Sequence, residues 1–304
     1  MDAKITKQRL SNLLAYDWLK IVIAIAFSVA VLSVFFTMVR TRPTDAQTYT
    51  VYGYTGLYRG KDFGTIDASL EGGVFSYDIL ETTTESFEGN AYSTAAFSAR
   101  RAAGEGTVVF VSDYDADGEE GENVSDLHKM ITEYLIQADT ERETLGLVVD
   151  AREYIAEGAE YLTRFFGENW REGTLDETAA RECFALRNGK DKRFRFNSNK
   201  YEAGVLNEYA RLIKLREDYI FVLDAFEAGT FTYTEHTTDM GNTYAVGICV
   251  GALRNISNLF YYTDVSGAQT SLELNLAVLN NGDRLGDLKY ETYSFLRYLA
   301  EKYV

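Results

Sequence analysis

Residues 21–39, IVIAIAFSVAVLSVFFTMV, carry no charge, and their only polar members are Ser28, Ser33 and Thr37. At about 1.5 Å per residue, a helix of this length matches a hydrocarbon core of about 30 Å. Helical geometry satisfies its own amides, so a single segment of this kind sits in lipid without a partner. Tyr16 and Trp18 stand before it as interfacial anchors, and Lys20 and Arg40 bracket it. A cleaved signal peptide is the competing account. It calls for a shorter apolar stretch followed by small residues in an A-x-A order, whereas FFTMVRTRP closes this one. A lipid-modified cysteine anchor is excluded, because no cysteine precedes Cys183. The stretch predicts an uncleaved transmembrane helix whose partner is the lipid bilayer.

Lys4, Lys7, Arg9 and Lys20 lie on the N-terminal side, against Arg40 and Arg42 after the span. This slight excess places the N-terminus inside. Residues 1–20 are then a cytoplasmic tail, 40–47 a linker, and 48–304 an α/β domain outside the cytoplasm. The localisation predicted is the cell membrane, single-pass, with the C-terminal domain extracellular.

That body is globular in composition, 46% hydrophobic and 25% charged over the chain. The whole chain's net charge of −16 argues against nucleic acid, whose phosphates need clustered Lys and Arg. The same charge disfavours a body lying flat on an anionic membrane. Cys183 and Cys249 are too few for a disulfide framework or a cysteine zinc cluster; they are two buried thiols or one pair. Neither a G-x-S-x-G elbow nor H-E-x-x-H occurs, so a non-catalytic protein is expected, with a hydrolase as the distant alternative.

Along the body, TYTVYGYTGL reads as a strand that ends in a glycine turn, and VFSYDILETTT from Val74 as a second. AYSTAAFSARRAAGEG is alanine-rich and helical, stopping at Gly104 and Gly106. TVVFVSD is apolar throughout, as suits a strand covered on both faces. Strand, helix, strand with short links indicates a parallel α/β unit. A helix is expected from Val124 to Ala138, and residues 151–230 read mainly as helix. Strands return at TYAVGICVGAL and SLELNLAVLNN, and LGDLKYETYSFLRYLAEKYV is an amphipathic closing helix.

Three of these stretches, in order, carry a resemblance. VFSYDILETTTESFEGNAYSTAAFSARRAAGEGTVVFVSD is similar to the second strand, helix and third strand of extracellular solute-binding proteins of the type II periplasmic-binding-protein class. GLVVDAREYI follows where that class has a strand and loop. LELNLAVLNNGDRLGDLKYETYSFLRYL resembles its last strand and closing helix. With the Tyr-Asp-Trp-Leu-Lys lead-in and one span, the layout also resembles poorly characterised anchored proteins of Gram-positive bacteria. The resemblance implies a periplasmic-binding-protein-like domain, two α/β lobes around a ligand cleft, with the helical middle as an insertion or a reduced second lobe. A cleft in such a fold lies beyond the C-terminal ends of parallel strands. That nominates Tyr54, Thr55 and Gly56 after the first strand, and Asp113 after the third.

Asp113 also opens a run of unbalanced carboxylates. In DYDADG, Asp113, Asp115 and Asp117 alternate and Gly118 follows, the front half of a calcium loop. Alternate carboxylates on a turning backbone converge on one point, where a hard cation cancels their repulsion. Glu119 offers a backbone carbonyl. The twelfth loop position, which wants a bidentate Glu, is Val124, so Glu122 or Asp126 would have to substitute. Bound calcium and a solvated loop both remain open; no other cofactor is implied.

His128 and His236 are the chain's two histidines. The first reads as a helix-surface residue or a remote metal neighbour. The second, with Glu235 and Asp239 in TEHTTD, reads as part of a polar loop or a small metal site. RNGKDKRFRFNSNK is a basic island, either a solvated connection between helices or a contact for an anionic partner. Two functions follow: capture of a small solute near the membrane, or docking on a transporter-type membrane complex without solute binding. A small sheet in the helical middle would favour the first, and a helical cap the second.

Overall fold

The computed structural model describes residues 18–39, 43–88, 92–115, 125–134, 136–139, 142–194, 197–238 and 240–304. It divides into two compact units, Met1–Arg42 and Pro43–Val304.

In the first unit, α1 (Trp18–Val39) is one continuous helix. Its stretch Trp18–Phe36 is long and apolar enough to cross a membrane, with a mean hydropathy of 2.6 in its most apolar window. Side chains such as Ile23, Phe27 and Phe36 are exposed, as a lipid-facing helix requires. Ser28 hides its hydroxyl by donating to the Ala24 carbonyl one turn back, at 2.7 Å.

The second unit is mixed α/β. In chain order it contains β1 (Thr48–Gly53), β2 (Tyr58–Arg59), α2 (Ile66–Glu71), β3 (Glu81–Ser86), α3 (Ser93–Ala102), β4 (Val108–Ser112) and α4 (Asp126–Tyr134). There follow β5 (Ile136–Asp139), β6 (Arg142–Thr144), α5 (Ala151–Phe166), α6 (Glu177–Asn188) and α7 (Ser198–Glu227). The chain closes with β7 (Thr232–Thr237), β8 (Thr243–Cys249), β9 (Phe260–Thr263), β10 (Gln269–Thr270), β11 (Leu274–Val278) and α8 (Thr292–Lys302).

Six strands form the main sheet in the order β3-β1-β4-β11-β8-β7. β1 runs parallel to β3 and β4, as expected, and β11 returns antiparallel between β4 and β8. Every residue of β4 is buried because both faces of the sheet are covered. Val108 and Phe110 point into the larger core with residues of α5, α7 and α8; Val109 and Val111 join Phe97 of α3 and Leu127, Met130 and Ile131 of α4 on the other face.

The stretch 151–230 is mainly helical among the described residues, as expected, and α5 to α7 contribute to the same core as the sheet. α5 starts at Asp150, whose side chain accepts from the Arg152 and Glu153 amides and also from Ala245 N–H at 2.9 Å, tying the helix to β8. At Gly158 the helices meet so closely that a Cβ would lie 2.5 Å from the Tyr293 hydroxyl. Beneath α7, Arg211 pairs with Glu208 and, at 3.3 Å, with Glu291, and all three are buried.

Three expectations are corrected. The second strand begins at Glu81, and residues 74–80 form a turn whose Phe75 and Ile79 plug the core. The helix expected from Val124 to Ala138 ends at Tyr134, giving way to β5. TEHTTD begins inside a strand, β7, at the edge of the main sheet.

Candidate functional site

At the C-terminal end of β1, the Tyr54 amide donates to Phe110 O at 2.9 Å, prolonging the ladder to β4. Its ring is buried edge-to-face on Phe97, with centroids 5.1 Å apart. Thr55 and Gly56 make the turn that follows. Gly56 has φ of +88°, and a Cβ there would also stand 2.1 Å from an Asp126 carboxylate oxygen, so glycine is required twice over. Tyr54, Thr55 and Gly56 are therefore placed as core and turn. They do not line the cavity that Asp113 borders.

That cavity, of about 250 Å³, opens where β4 ends. Asp113 is exposed; its amide donates to Glu273 O at 2.9 Å, and its Oδ1 accepts from Ser125 Oγ at 2.8 Å. Ser125 Oγ in turn accepts from the His128 amide at 3.1 Å, capping the first turn of α4 and holding His128 beside the strand end. His236 reaches the same cavity from β7. The two imidazoles meet edge-to-face with centroids 4.4 Å apart and planes at 74°. Asp115 and Glu235 share the lining, and buried Leu127, Ile131 and Val246 supply an apolar wall.

A register shift directs this side of β7. Thr234 pairs with Gly247 and Glu235 with Ala245, leaving Val246 without an opposite residue. Such a bulge re-aims the side chains beside it. Glu235 forms an ion pair with Arg152, whose guanidinium also covers the Tyr233 ring at 5.5 Å.

Carboxylates around this end of the sheet outnumber cations. Burial raises Glu273 above the usual glutamate range, and the neighbouring Asp113 charge adds to the shift. Burial also raises Asp126, against a smaller opposing pull from Lys129. Among the described residues, no three His, Cys, Asp or Glu side chains converge closely enough to hold a metal as they stand. Of the expected calcium ligands, Asp113 and Asp115 line the cavity; Asp117, Glu119 and Glu122 lie outside the described residues, as does Asp239.

The opposite end of the sheet holds a larger cavity of about 510 Å³, near Thr107 and Leu279. Part of its charged wall is engaged within the fold: Asp150 caps α5, and Lys289 pairs with Glu157 across the lining. The basic island turns inward. Arg187 donates to Asp78 at 2.9 Å and also pairs with Glu208, while Arg193 bridges Asp78 and Asp191. Lys190, Lys192 and Lys200 remain exposed; Arg195 lies outside the described residues. Cys183 donates to Asp287 at 3.1 Å, and burial pushes its thiol up to about 12, so it is a core thiol and no nucleophile.

The meeting of His128 and His236 was missed from sequence, since the two lie more than a hundred positions apart. The one available signal was TYTEHT, whose alternating β-branched and aromatic residues suit a strand. The chain matches no protein-family model, no curated protein and no solved structure.

Proposed function

We propose that this chain is a single-pass membrane protein whose α/β body stands outside the cytoplasm as a non-catalytic accessory subunit, docking on a transporter-type membrane complex. The observation behind this choice is the helical middle. α5, α6 and α7 share one core with the main sheet, and Arg211, Glu208 and Glu291 lock α7 to the segment before α8. Solute capture by closure needs two bodies that move, and a shared core opposes such motion. No second sheet of lobe size accompanies these helices among the described residues. The body's acidity favours a partner with a basic face.

The solute-binding-like reading, with its periplasmic-binding-protein-like fold, keeps one supporting observation. The 250 Å³ cavity lies past a parallel strand, where ligands of open α/β sheets bind. Two experiments test the choice. The full chain in nanodiscs is melted with amino acids, sugars and short peptides, and crosslinked in native membranes through photoreactive residues on the body. Docking predicts no shift in melting temperature and crosslinks that gather on one integral membrane protein. A solute that raises the melting temperature saturably overturns it. The orientation has its own check: Lys61→Cys, on an exposed turn, should react with a membrane-impermeant maleimide in intact cells. Protection until lysis would place the body inside.

A further inference from the structure

We propose that the larger cavity, beside Thr107 and Leu279, is the docking point of this body, and that it receives an arginine or lysine side chain of the membrane partner. The inference rests on the docking reading and names the chemistry of its contact. The cavity holds about 510 Å³, within the range of about 300–1,000 Å³ usual for a binding cleft. Four carboxylates border it, Asp150, Glu153, Glu157 and Asp283, against the single ammonium of Lys289. Glu153 and Glu157 stand one turn apart on α5, so both reach the same face, and Asp283 comes from the turn after β11.

The cations at hand are already engaged. Lys289 pairs with Glu157, Arg152 pairs with Glu235, and Arg284 donates to the Ala103 carbonyl. Glu153 and Asp283 are exposed, and neither carboxylate has a side-chain partner among the described residues. The rest of the wall includes Val148, Leu279 and Tyr154, all buried, and the Tyr154 hydroxyl is spent on the Lys289 carbonyl at 2.8 Å. Such a lining suits a side chain with an apolar stem and a charged tip. A guanidinium or ammonium brought to Glu153 and Asp283 meets charge that the fold leaves uncompensated. Thr107 and Leu285 also border a neighbouring cavity of about 260 Å³, so the concave surface continues and offers a protein more than one foothold. The same carboxylates repel an anionic lipid surface.

Crosslinking tests it. Photoreactive benzoylphenylalanine is placed in the full chain, in native membranes, at Ala156, exposed on α5 between Glu153 and Glu157, and for comparison at exposed Leu186 and Val265. Ala156 should give the strongest link to one integral membrane protein, on a segment that contains Arg or Lys. Glu153→Gln with Asp283→Asn should cut that link about fivefold or more, while Glu160→Gln, outside the lining, leaves it unchanged. The double variant removes two exposed charges and should keep its melting temperature. Should it not, the wild-type chain gives the answer, because salt at about 0.5 M should weaken the link as strongly. A link from Ala156 that neither the double variant nor salt weakens overturns the inference, as does a linked segment without a basic residue. Links that gather at Leu186 or Val265 overturn the inference and leave docking in place. No link from any position removes docking itself, and this inference with it. A saturable rise in melting temperature with free arginine or spermidine gives the cavity to a solute and overturns both.

Discussion

Charge is handled in two opposite ways in this body. Under α7, Asp78, Glu208 and Glu291 are buried, and every one of them meets an arginine: Arg187, Arg193 or Arg211. Arg211 also donates to the Tyr161 hydroxyl at 2.5 Å, and Tyr77 donates to Glu208 at 3.0 Å. At the end of β4, Asp113 and Glu235 are exposed, His128 and His236 are half-buried, and the charges surround an open space. The first cluster has consumed its valences in holding helices to a sheet. The second keeps donors turned toward solvent. Buried, paired charge is architecture here, and half-exposed charge around a cavity is where chemistry can enter.

The sharpest way to break this comparison is Arg211→Met. It leaves Glu208 and Glu291 without their shared partner in a dry site, and should cost about 3–5 kcal/mol in chemical denaturation of the full chain. A loss below about 1 kcal/mol would mean that water or rearrangement already relieves those carboxylates. The acid limb of stability is a smaller effect. Burial alone would raise Glu208, but Arg211 and Arg187 outweigh it and hold the carboxyl below its usual range. A depressed folded value stabilises above the unfolded one, near 4.5, and that contribution is lost as pH falls through the folded value. Asp126 and Glu273 carry the opposite sign, because burial raises them and protonation relieves it. Melting temperature should therefore fall below about pH 4.5, and Glu208→Gln should flatten that fall. An unchanged slope would assign acid sensitivity to other groups.

What sequence could and could not reveal follows the same division. β4 was readable because a strand covered on both faces is apolar at every position. β3 was misplaced because the real strand, ETTTES, is a polar edge with one neighbour, while the more apolar VFSYDIL is the turn that plugs the core. The helical middle was readable from its periodicity, but its attachment was not. Arg187 and Arg193 look like a surface island until Asp78, more than a hundred positions earlier, is brought beneath them. The apolar helix α1 announced itself by composition alone. At the candidate site, strand-end logic found Asp113, whereas Tyr54 proved to be core. The histidine pair depends on tertiary contact, which no local pattern encodes.

The gentlest test concerns Ser125, which joins Asp113 to the first turn of α4. Ser125→Ala removes the cap on the His128 amide and the bond to Asp113, and should cost about 1 kcal/mol. Its neighbours Leu127 and Ile131 belong to the core on one face of the sheet, whereas Leu212 and Tyr161, beside Arg211, belong to the core on the other. If the sheet separates the two charged regions, their energies are independent. The double variant Ser125→Ala with Arg211→Met should then lose the sum of the single losses within about 0.5 kcal/mol. A larger interaction energy would mean that the ion cluster under α7 and the cavity at the end of β4 communicate through the strands between them, and that architecture and site are one system.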